Sequence, residues 1–323
     1  MKGKGDVAEK LGTSEPEGIS APGGDQKQGT GRVMAASAEK KRNGTDGVGL
    51  FFLALLGIWY FSVAWKLSQG QTNLWPIFVA CLVFETVNRG LSSLVSNPSF
   101  LPLLQPKNVD NFINTAVSLL HSASVALAVV GLLVLQISRT SIGEMWTHEA
   151  LTGEAWPGAF AVLAASSGYF AYDQWDMLRR GLYKPQAPSL LVHHAVLLIC
   201  FIAALYKNSC INYLVLTLVC EVHSIFLHLR KVLLLSGASR KWSFVLLVEW
   251  TLNWFAFFTA RIALHVLITI KLLVDSRKFK SGVELPLALT GMAGLNVLNF
   301  ILGQGLYKAF LRERAGKPPS KDE

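Results

Sequence analysis

The sequence predicts an all-α protein, a polytopic transmembrane helix bundle of about seven to eight spans with a disordered N-terminal tail. Three observations lead to this fold. Several apolar runs approach the roughly 20 residues that a helix needs to cross the hydrocarbon core of a bilayer. Charged residues make up 16% of the 323-residue chain and hydrophobic residues 51%, whereas typical soluble domains carry about 25% charged residues. Within the apolar runs, the few polar residues recur at the spacing of a helix face.

The first 47 residues differ in composition from the rest of the chain. The stretch GTSEPEGISAPGGDQKQGTG is rich in Gly, Ser, Pro and charged residues and has few large apolar ones, which is typical of disordered segments. The segment is too long and too polar ahead of its first apolar run to resemble an ordinary cleaved signal peptide. We therefore expect a disordered tail at 1–47.

Eight candidate spans follow the tail, at 49–66, 74–95, 112–136, 157–178, 189–206, 209–229, 243–270 and 284–307. The second is the weakest, because Glu85, Asn88 and Arg89 interrupt it. After the tail, the chain divides into an extra N-terminal transmembrane segment at 48–73, a main domain at 74–310 and a basic C-terminal tail at 311–323.

Positive charge gathers at the ends of the apolar runs. The formal net charge is +9, and Arg179, Arg180, Arg230 and Lys231 are among the basic residues that flank a span. Because flanking basic residues orient helices and meet anionic head groups, this charge does not predict nucleic-acid binding. The positive-inside rule places both termini in the cytosol, although the basic loop at 271–283 does not fit that orientation. None of the four cysteines forms a CxxC pair, and we expect free thiols.

Polar residues within the spans predict a polar interior, because charged groups in a membrane are costly and mark functional sites by default. Asp173 and Asp176 lie near the end of their span, where pairing with the arginines that follow is a second explanation. Together, five successive helices offer polar groups to one interior. The predicted interior residues are His121, Tyr169, Asp173, His193, His194, Glu221, Ser224, His228, Asn253 and Arg261.

His193 and His194 stand side by side in the otherwise apolar run SLLVHHAVLLICFIAAL. Adjacent residues on a helix point about 100° apart, so both rings face inward only if other helices surround theirs. Three interpretations stay open. In the first, the polar groups are packing contacts, worth about 0.6 kcal/mol each. In the second, a histidine oriented by a carboxylate transfers protons. In the third, the residues bind zinc, for which His193, His228, Asp173 and Glu221 are sufficient ligands. Because no HExxH or CxxC motif is present, we predict no metal.

Five segments resemble, in order, the signature segments of the TLC (TRAM, Lag, CLN) domain family: NFINTAVSLLHSASVAL, GYFAYDQWDML, LLVHHAVLLICF, CEVHSIFLHLRKVLLLSG and NWFAFFTARIALHVL. The resemblance covers about residues 74–310 and implies a helix bundle of the TLC-domain type. Within the family, EVHSIFLHLRKVLLLSG looks most like TLC domain-containing proteins one and two, with His223 where those proteins more often carry Asn.

This resemblance implies an integral plasma-membrane protein that regulates phospholipid acyl composition and membrane fluidity. Such a protein limits the incorporation of long-chain polyunsaturated fatty acids into membrane phospholipids. Its implied partners are membrane phospholipids or fatty acyl groups, with no cofactor, and the endoplasmic reticulum is the alternative membrane. The residues expected to bind lipid are His121, Tyr169, Asp173, Ser224, His228, Asn253 and Arg261. His193, His194 and Glu221 are the catalytic candidates if the protein is an enzyme.

The alternative function is a ceramide-synthase-like acyltransferase that uses acyl-CoA. Ceramide synthases join a histidine pair to an H-D-x-x-D pattern on a later helix. This chain keeps His193 and His194, but its later helix reads EVHSIFLHLR, with Glu221 as the nearest carboxylate. In an acyltransferase, one histidine would act as general base and Asp173 or Glu221 would orient it. A membrane zinc hydrolase is a third hypothesis.

Overall fold

The computed structural model describes residues 47–97, 99–183, 189–237, 243–280 and 282–315. The predicted disordered tail, apart from Gly47, and the end of the predicted basic tail, 316–323, lie outside the described residues. Within the described ranges the regular structure is helical, which confirms the predicted all-α fold.

Twelve α-helices occur in these ranges. They are α1 (Gly47–Ser68), α2 (Trp75–Val95), α3 (Val109–Arg139), α4 (Ile142–Met145), α5 (His148–Thr152), α6 (Ala159–Arg180), α7 (Ser189–Lys207), α8 (Ile211–Thr217), α9 (Glu221–Leu235), α10 (Ser243–Ala256), α11 (Leu264–Val274) and α12 (Glu284–Arg314). A π-helix, Phe257–Ala263, joins α10 to α11 without a break. A 3₁₀ turn, Leu218–Cys220, joins α8 to α9.

Six helical segments of the described chain are long and apolar enough to cross a membrane: Gly47–Ser68, Thr72–Val95, Pro106–Arg139, Ser189–Lys207, Leu247–Val274 and Glu284–Arg314. The protein is therefore a multi-pass membrane protein. The predicted span at 157–178 is the unbroken 22-residue helix α6. It is more polar than the six segments above, because two aspartates and two arginines lie in its last two turns. The predicted span at 209–229 is divided among α8, the 3₁₀ turn and α9.

Helix α6 is enclosed by other helices. It packs against α1, α2, α3, α7 and α8, and 15 of its 22 residues are buried. A Cβ atom at Gly168 would lie 2.2 Å from the carbonyl oxygen of Ile77 in α2, so only glycine lets these two helices approach so closely. Because neighbours surround α6, its polar side chains point into protein rather than into lipid, where an unpaired polar group is costly.

The remaining helices close a shared interior beside α6. Helix α3 packs against α2, α6 and α9, and α12 packs against α7 and α11. The π-helix contacts α9 and α12. Five elements that carry predicted site residues, α3, α6, α7, α9 and the π-helix, thus face one another.

Candidate functional site

The polar residues of α6 and α7 meet in one pair. Nε2 of His194 in α7 lies 3.6 Å from Oδ2 of Asp173 in α6, and both side chains are more than nine-tenths buried. Oδ1 of the same carboxylate accepts a hydrogen bond from Nδ2 of Asn114 in α3 at 2.7 Å. Three helices therefore converge on Asp173.

The two adjacent histidines face different walls of the interior. Their ring centroids lie 5.6 Å apart and the ring planes are tilted by 48°. The ring of His194 lies 5.6 Å from that of Phe170 in α6, and His193, the preceding residue, points about 100° away from it around the helix. Nδ1 of each ring is buried and has no hydrogen-bond partner among the described residues. Both rings thus line the interior and keep a free nitrogen.

Aromatic rings form the wall between α3 and α6. His121 stacks on Tyr169 with 3.6 Å between centroids and 10° between planes. Phe84 of α2 contacts both rings edge-on, at 5.7 and 4.9 Å. Nε2 of His121 is another buried nitrogen without a partner in the described part of the chain.

Helix α9 supplies Glu221, Ser224 and His228. Ser122 of α3 donates a hydrogen bond to Oε2 of Glu221 at 2.6 Å. Oγ of Ser224 accepts one from Nη2 of Arg261 at 2.7 Å. His228, one turn further along α9, is half-buried. These contacts bind α9 to α3 on one side and to the π-helix on the other.

Arg261 lies at the centre of a hydrogen-bond network. It is part of the π-helix, a rare geometry that often occurs at functional sites. Its Nε donates to Nδ1 of His223 at 2.9 Å and its Nη1 donates to Oδ1 of Asn299 at 3.3 Å. Nδ2 of Asn299 lies 2.7 Å from Nδ1 of His265. Among the described residues, no carboxylate forms a salt bridge with Arg261, so neutral acceptors hold this buried cation.

Asn253 and Asp176 are both buried and are held by further polar contacts. Oδ1 of Asn253 lies 2.9 Å from Nε2 of His223, and its Nδ2 donates to Oε1 of Glu249 at 2.7 Å. Asn253 therefore supports His223 from behind. Asp176 forms ion pairs with the two arginines at the end of α6, so the ion-pair explanation describes Asp176 and not Asp173. The amide of Asn114 that bonds to Asp173 also donates to Oδ2 of Asp176, at 3.1 Å.

Sequence reasoning missed several residues that contact the site. Ser122 and Asn299 hydrogen-bond to predicted residues, and Lys231 lies three residues after His228 on α9. Asn299 is a polar residue inside an apolar span, the signal that identified the other candidates. Ser122 carries no such signal, because a lone serine in a membrane helix usually bonds to its own backbone. At Lys231 the sequence predicts only a charge that flanks a span.

An apolar cavity opens between α7, α8, α11 and α12. About 790 Å³ of space between its walls is not filled by atoms, a volume that includes open space outside the protein. Leu197, Phe201 and Leu272 are among its apolar walls. Lys207 and Glu284, 2.6 Å apart as an ion pair, lie at its outer end.

The inner end of this cavity adjoins the polar interior. Val196, Ile268 and Leu295 line the cavity. Each lies about one helical turn from a polar residue of the interior: Val196 from His193, Ile268 from His265 and Leu295 from Asn299. None of the described histidines lines the cavity itself, so about one helical turn separates its wall from the polar interior.

The donor set bears on metal binding. Among the residues that the structure describes, no group of three or more His, Cys, Asp or Glu is placed to hold a metal ion. The four cysteines are free thiols, as the sequence predicted. The described side chains also offer acids, bases and charges. The buried pair of His194 and Asp173 can hold or move a proton at Nε2, and Arg261 and Lys231 can meet the charges of a lipid head group.

Comparison with known proteins agrees with this architecture. A profile of the TLC domain matches residues 111–307. TLC domain-containing protein 2 of Mus musculus is 41% identical over 80 residues, 25% of this chain and 26% of that protein. The Danio rerio protein of the same name is 33% identical over 82 residues, 25% and 32% of the two chains. The Homo sapiens protein is 29% identical over 168 residues, 50% and 60% of the two chains.

These alignments span at most about 60% of the relatives' own length. No solved structure matches the chain. The TLC domain profile nevertheless covers more than half of the sequence, including every helix that faces the shared interior. The chain belongs to the TLC domain family.

Proposed function

We propose that this protein regulates the acyl composition of membrane phospholipids by binding a lipid inside its helix bundle. Its effect is to limit the incorporation of long-chain polyunsaturated fatty acids, and so to control membrane fluidity. The observation that carries the proposal is the position of the apolar cavity, about one helical turn from the polar interior. An amphiphile needs both, because its head requires polar partners and its tail requires apolar walls. The proposed ligand is a membrane phospholipid or its fatty acyl group, and the proposed membrane is the plasma membrane.

The cavity supports a role in selecting acyl chains. A tail that enters the cavity leaves the equally apolar interior of the bilayer, so the hydrophobic effect adds little affinity and van der Waals packing against the walls decides how well it binds. Packed helices resist deformation, and the walls therefore discriminate among chains by shape. Selection by chain shape is what a regulator of unsaturation requires.

Photo-crosslinking tests this proposal. The full-length protein in membranes is exposed to a phospholipid whose acyl chain carries a diazirine, and the crosslinked peptides are identified by mass spectrometry. We expect crosslinks on the peptides that contain Leu197 and Leu295. Ala288→Phe places a ring in the cavity and is expected to remove most of the signal, whereas Ala293→Phe on the exposed face of the same helix is expected to retain it. Equal labelling of the two variants would contradict the proposed site.

The second candidate is an acyltransferase, favoured by the approach of His194 to Asp173. In that reaction the imidazole takes the proton of the acyl acceptor while the carboxylate orients the ring. Purified protein that transfers the acyl group of acyl-CoA to a lysophospholipid or amine acceptor with release of the CoA thiol, and loses this activity in His194→Gln, would establish the enzyme. Binding of the diazirine lipid without turnover supports the regulator.

A further inference from the structure

Polar contacts join α1 to the bundle at depth. The helix precedes the region that the TLC domain profile matches, yet Nε1 of Trp59 donates a hydrogen bond to the carbonyl oxygen of Leu198 in α7 at 3.2 Å. Oγ of Ser62 lies 2.6 Å from the hydroxyl oxygen of Tyr206, also in α7. The indole of Trp59 is buried, with 7% exposure. A helix that served only as an anchor would not need these contacts.

The same helix also contacts α6. Nε2 of Gln174 donates to the carbonyl oxygen of Phe52 at 3.4 Å, and Gln174 is 1% exposed. Because α1 packs along both α6 and α7, it bridges the two helices that carry Asp173 and His194.

The bridge lies at the level of this pair. Gln174 directly follows Asp173, and Leu198 follows His194 by one helical turn. Adjacent residues on a helix point about 100° apart, so α6 presents Asp173 to the interior and Gln174 to α1. Helix α1 therefore contacts α6 next to Asp173 and α7 one turn from His194, on the sides of these helices that face away from the interior.

We infer that α1 is a strut that sets the separation of α6 and α7, with Trp59 as a positioning residue for His194 and Asp173. The distance of 3.6 Å between Nε2 and Oδ2 is just beyond the hydrogen-bonding range of about 2.7–3.2 Å. A movement of a few tenths of an ångström consequently decides whether the two side chains are bonded. The proposed role of α1 concerns the separation of α6 and α7. Only an effect of α1 on lipids rests on the proposed function.

Nuclear magnetic resonance of histidine side chains tests the strut. Full-length protein is labelled with ¹⁵N-histidine and placed in nanodiscs, and the ring signals of His194 are assigned with His194→Gln. Trp59→Phe keeps an aromatic ring but removes the N–H donor. We expect it to shift the ring nitrogens of His194 at fixed pH and to leave His148, in the short helix α5, unchanged. Trp65→Phe is the control, because Trp65 lies on the same helix and is 57% exposed.

A folded Trp59→Phe variant with unshifted His194 signals would overturn the inference, even if its thermal stability were lower. If that variant does not fold, Gln174→Leu decides in its place. It removes the contact with α1 together with a buried Oε1 that has no partner among the described residues, so we expect it to fold. Acyl-chain analysis of the same variants separates the two proposals: a shifted His194 with unchanged lipids supports the strut and contradicts the proposed function.

Discussion

Nε2 of His194 faces Oδ2 of Asp173 across the interface of α6 and α7, at 3.6 Å and out of contact with solvent. Buried polar groups in proteins are nearly always hydrogen-bonded. Here Asp173 is bonded to Asn114, while the imidazole of His194 has a free Nδ1 and an incompletely engaged Nε2. The pair therefore has capacity to bind a polar group of a ligand.

Substitution of His194 distinguishes lipid binding from proton transfer. In the proposed regulator, His194→Gln keeps a polar side chain and is expected to retain part of the effect on polyunsaturated phospholipids, whereas His194→Ala loses more of it. The measurement is acyl-chain lipidomics at matched expression, with His148→Gln in α5 as a control. Complete loss of the effect in folded His194→Gln protein would instead favour general acid–base catalysis.

Arg261→Lys is expected to destabilise the protein although it keeps the charge. The guanidinium joins the π-helix to His223, Ser224 and Asn299, and a lysine cannot satisfy all three acceptors in this geometry. Leaving one or two buried groups unsatisfied costs about 2–4 kcal/mol in the free energy of unfolding. Thermal unfolding in detergent measures this change. Arg277→Lys, at an exposed position, is the control and should unfold like the parent; a comparable change in both would refute the network's role.

Gly168→Ala tests the close packing of α2 on α6. The added methyl group would lie 2.2 Å from the carbonyl oxygen of Ile77 and 2.8 Å from Cβ of Ala80, so the helices must separate. We expect a loss of about 1–3 kcal/mol in unfolding free energy, as in other overpacked cores. Gly131→Ala in α3 has no atom within 4 Å of its new Cβ and should be neutral or stabilising, by up to about 1 kcal/mol. A neutral Gly168→Ala would show that this approach is not tight.

Asp275, in the turn after α11, gives the protein an acid-sensitive contact. Burial alone would raise the pKa of its carboxyl group, but hydrogen bonds and charges from Lys271 and Lys278 outweigh burial and hold the pKa below the ordinary value of 3.8. A carboxylate with a lowered pKa stabilises the folded state above its unfolded pKa, and this contribution is lost as the pH falls through the folded value. The ion pairs of Asp275 thus favour folding at neutral pH and weaken in acid.

Asp275→Asn should therefore lower the unfolding temperature at neutral pH and converge with the parent below pH 3.8. Unfolding in detergent across this pH range measures the difference. Glu149→Gln, which replaces an exposed carboxylate in α5, is the matched control and should unfold like the parent at neutral pH. A difference between Asp275→Asn and the parent that persists at low pH would argue against titration of this contact.

The helices and most of the interior residues could be predicted from the sequence because both depend on local signals. A polar residue such as Glu221 or Asn253 in an apolar run is visible in one helix alone. Its partner is not, and the contacts of Glu221 with Ser122 and of Asn253 with His223 depend on packing between distant segments. Asp173 and Asp176 are a second example. From the sequence alone, each could belong to an interior site or pair with an arginine, and only the packing of the helices distinguishes the two.

Three further features gave no sequence signal. The walls of the cavity come from four helices, so ordinary residues such as Leu197 and Leu295 form it only together. The π-helix around Arg261 lies within an apolar run that predicts a plain α-helix. The division of the predicted span at 209–229 into α8 and α9 is hidden because the run contains neither proline nor glycine.

Acyl-chain lipidomics of cells fed a polyunsaturated fatty acid tests the central claim most directly. Cells without the protein are compared with cells that express wild type or His193→Ala/His194→Ala at equal levels. The account predicts that wild type lowers the polyunsaturated fraction of phospholipids and that the double variant, present and folded in the membrane, does not. If the double variant lowers that fraction as wild type does, or if wild type leaves phospholipids unchanged, the interior site does not control phospholipid acyl composition.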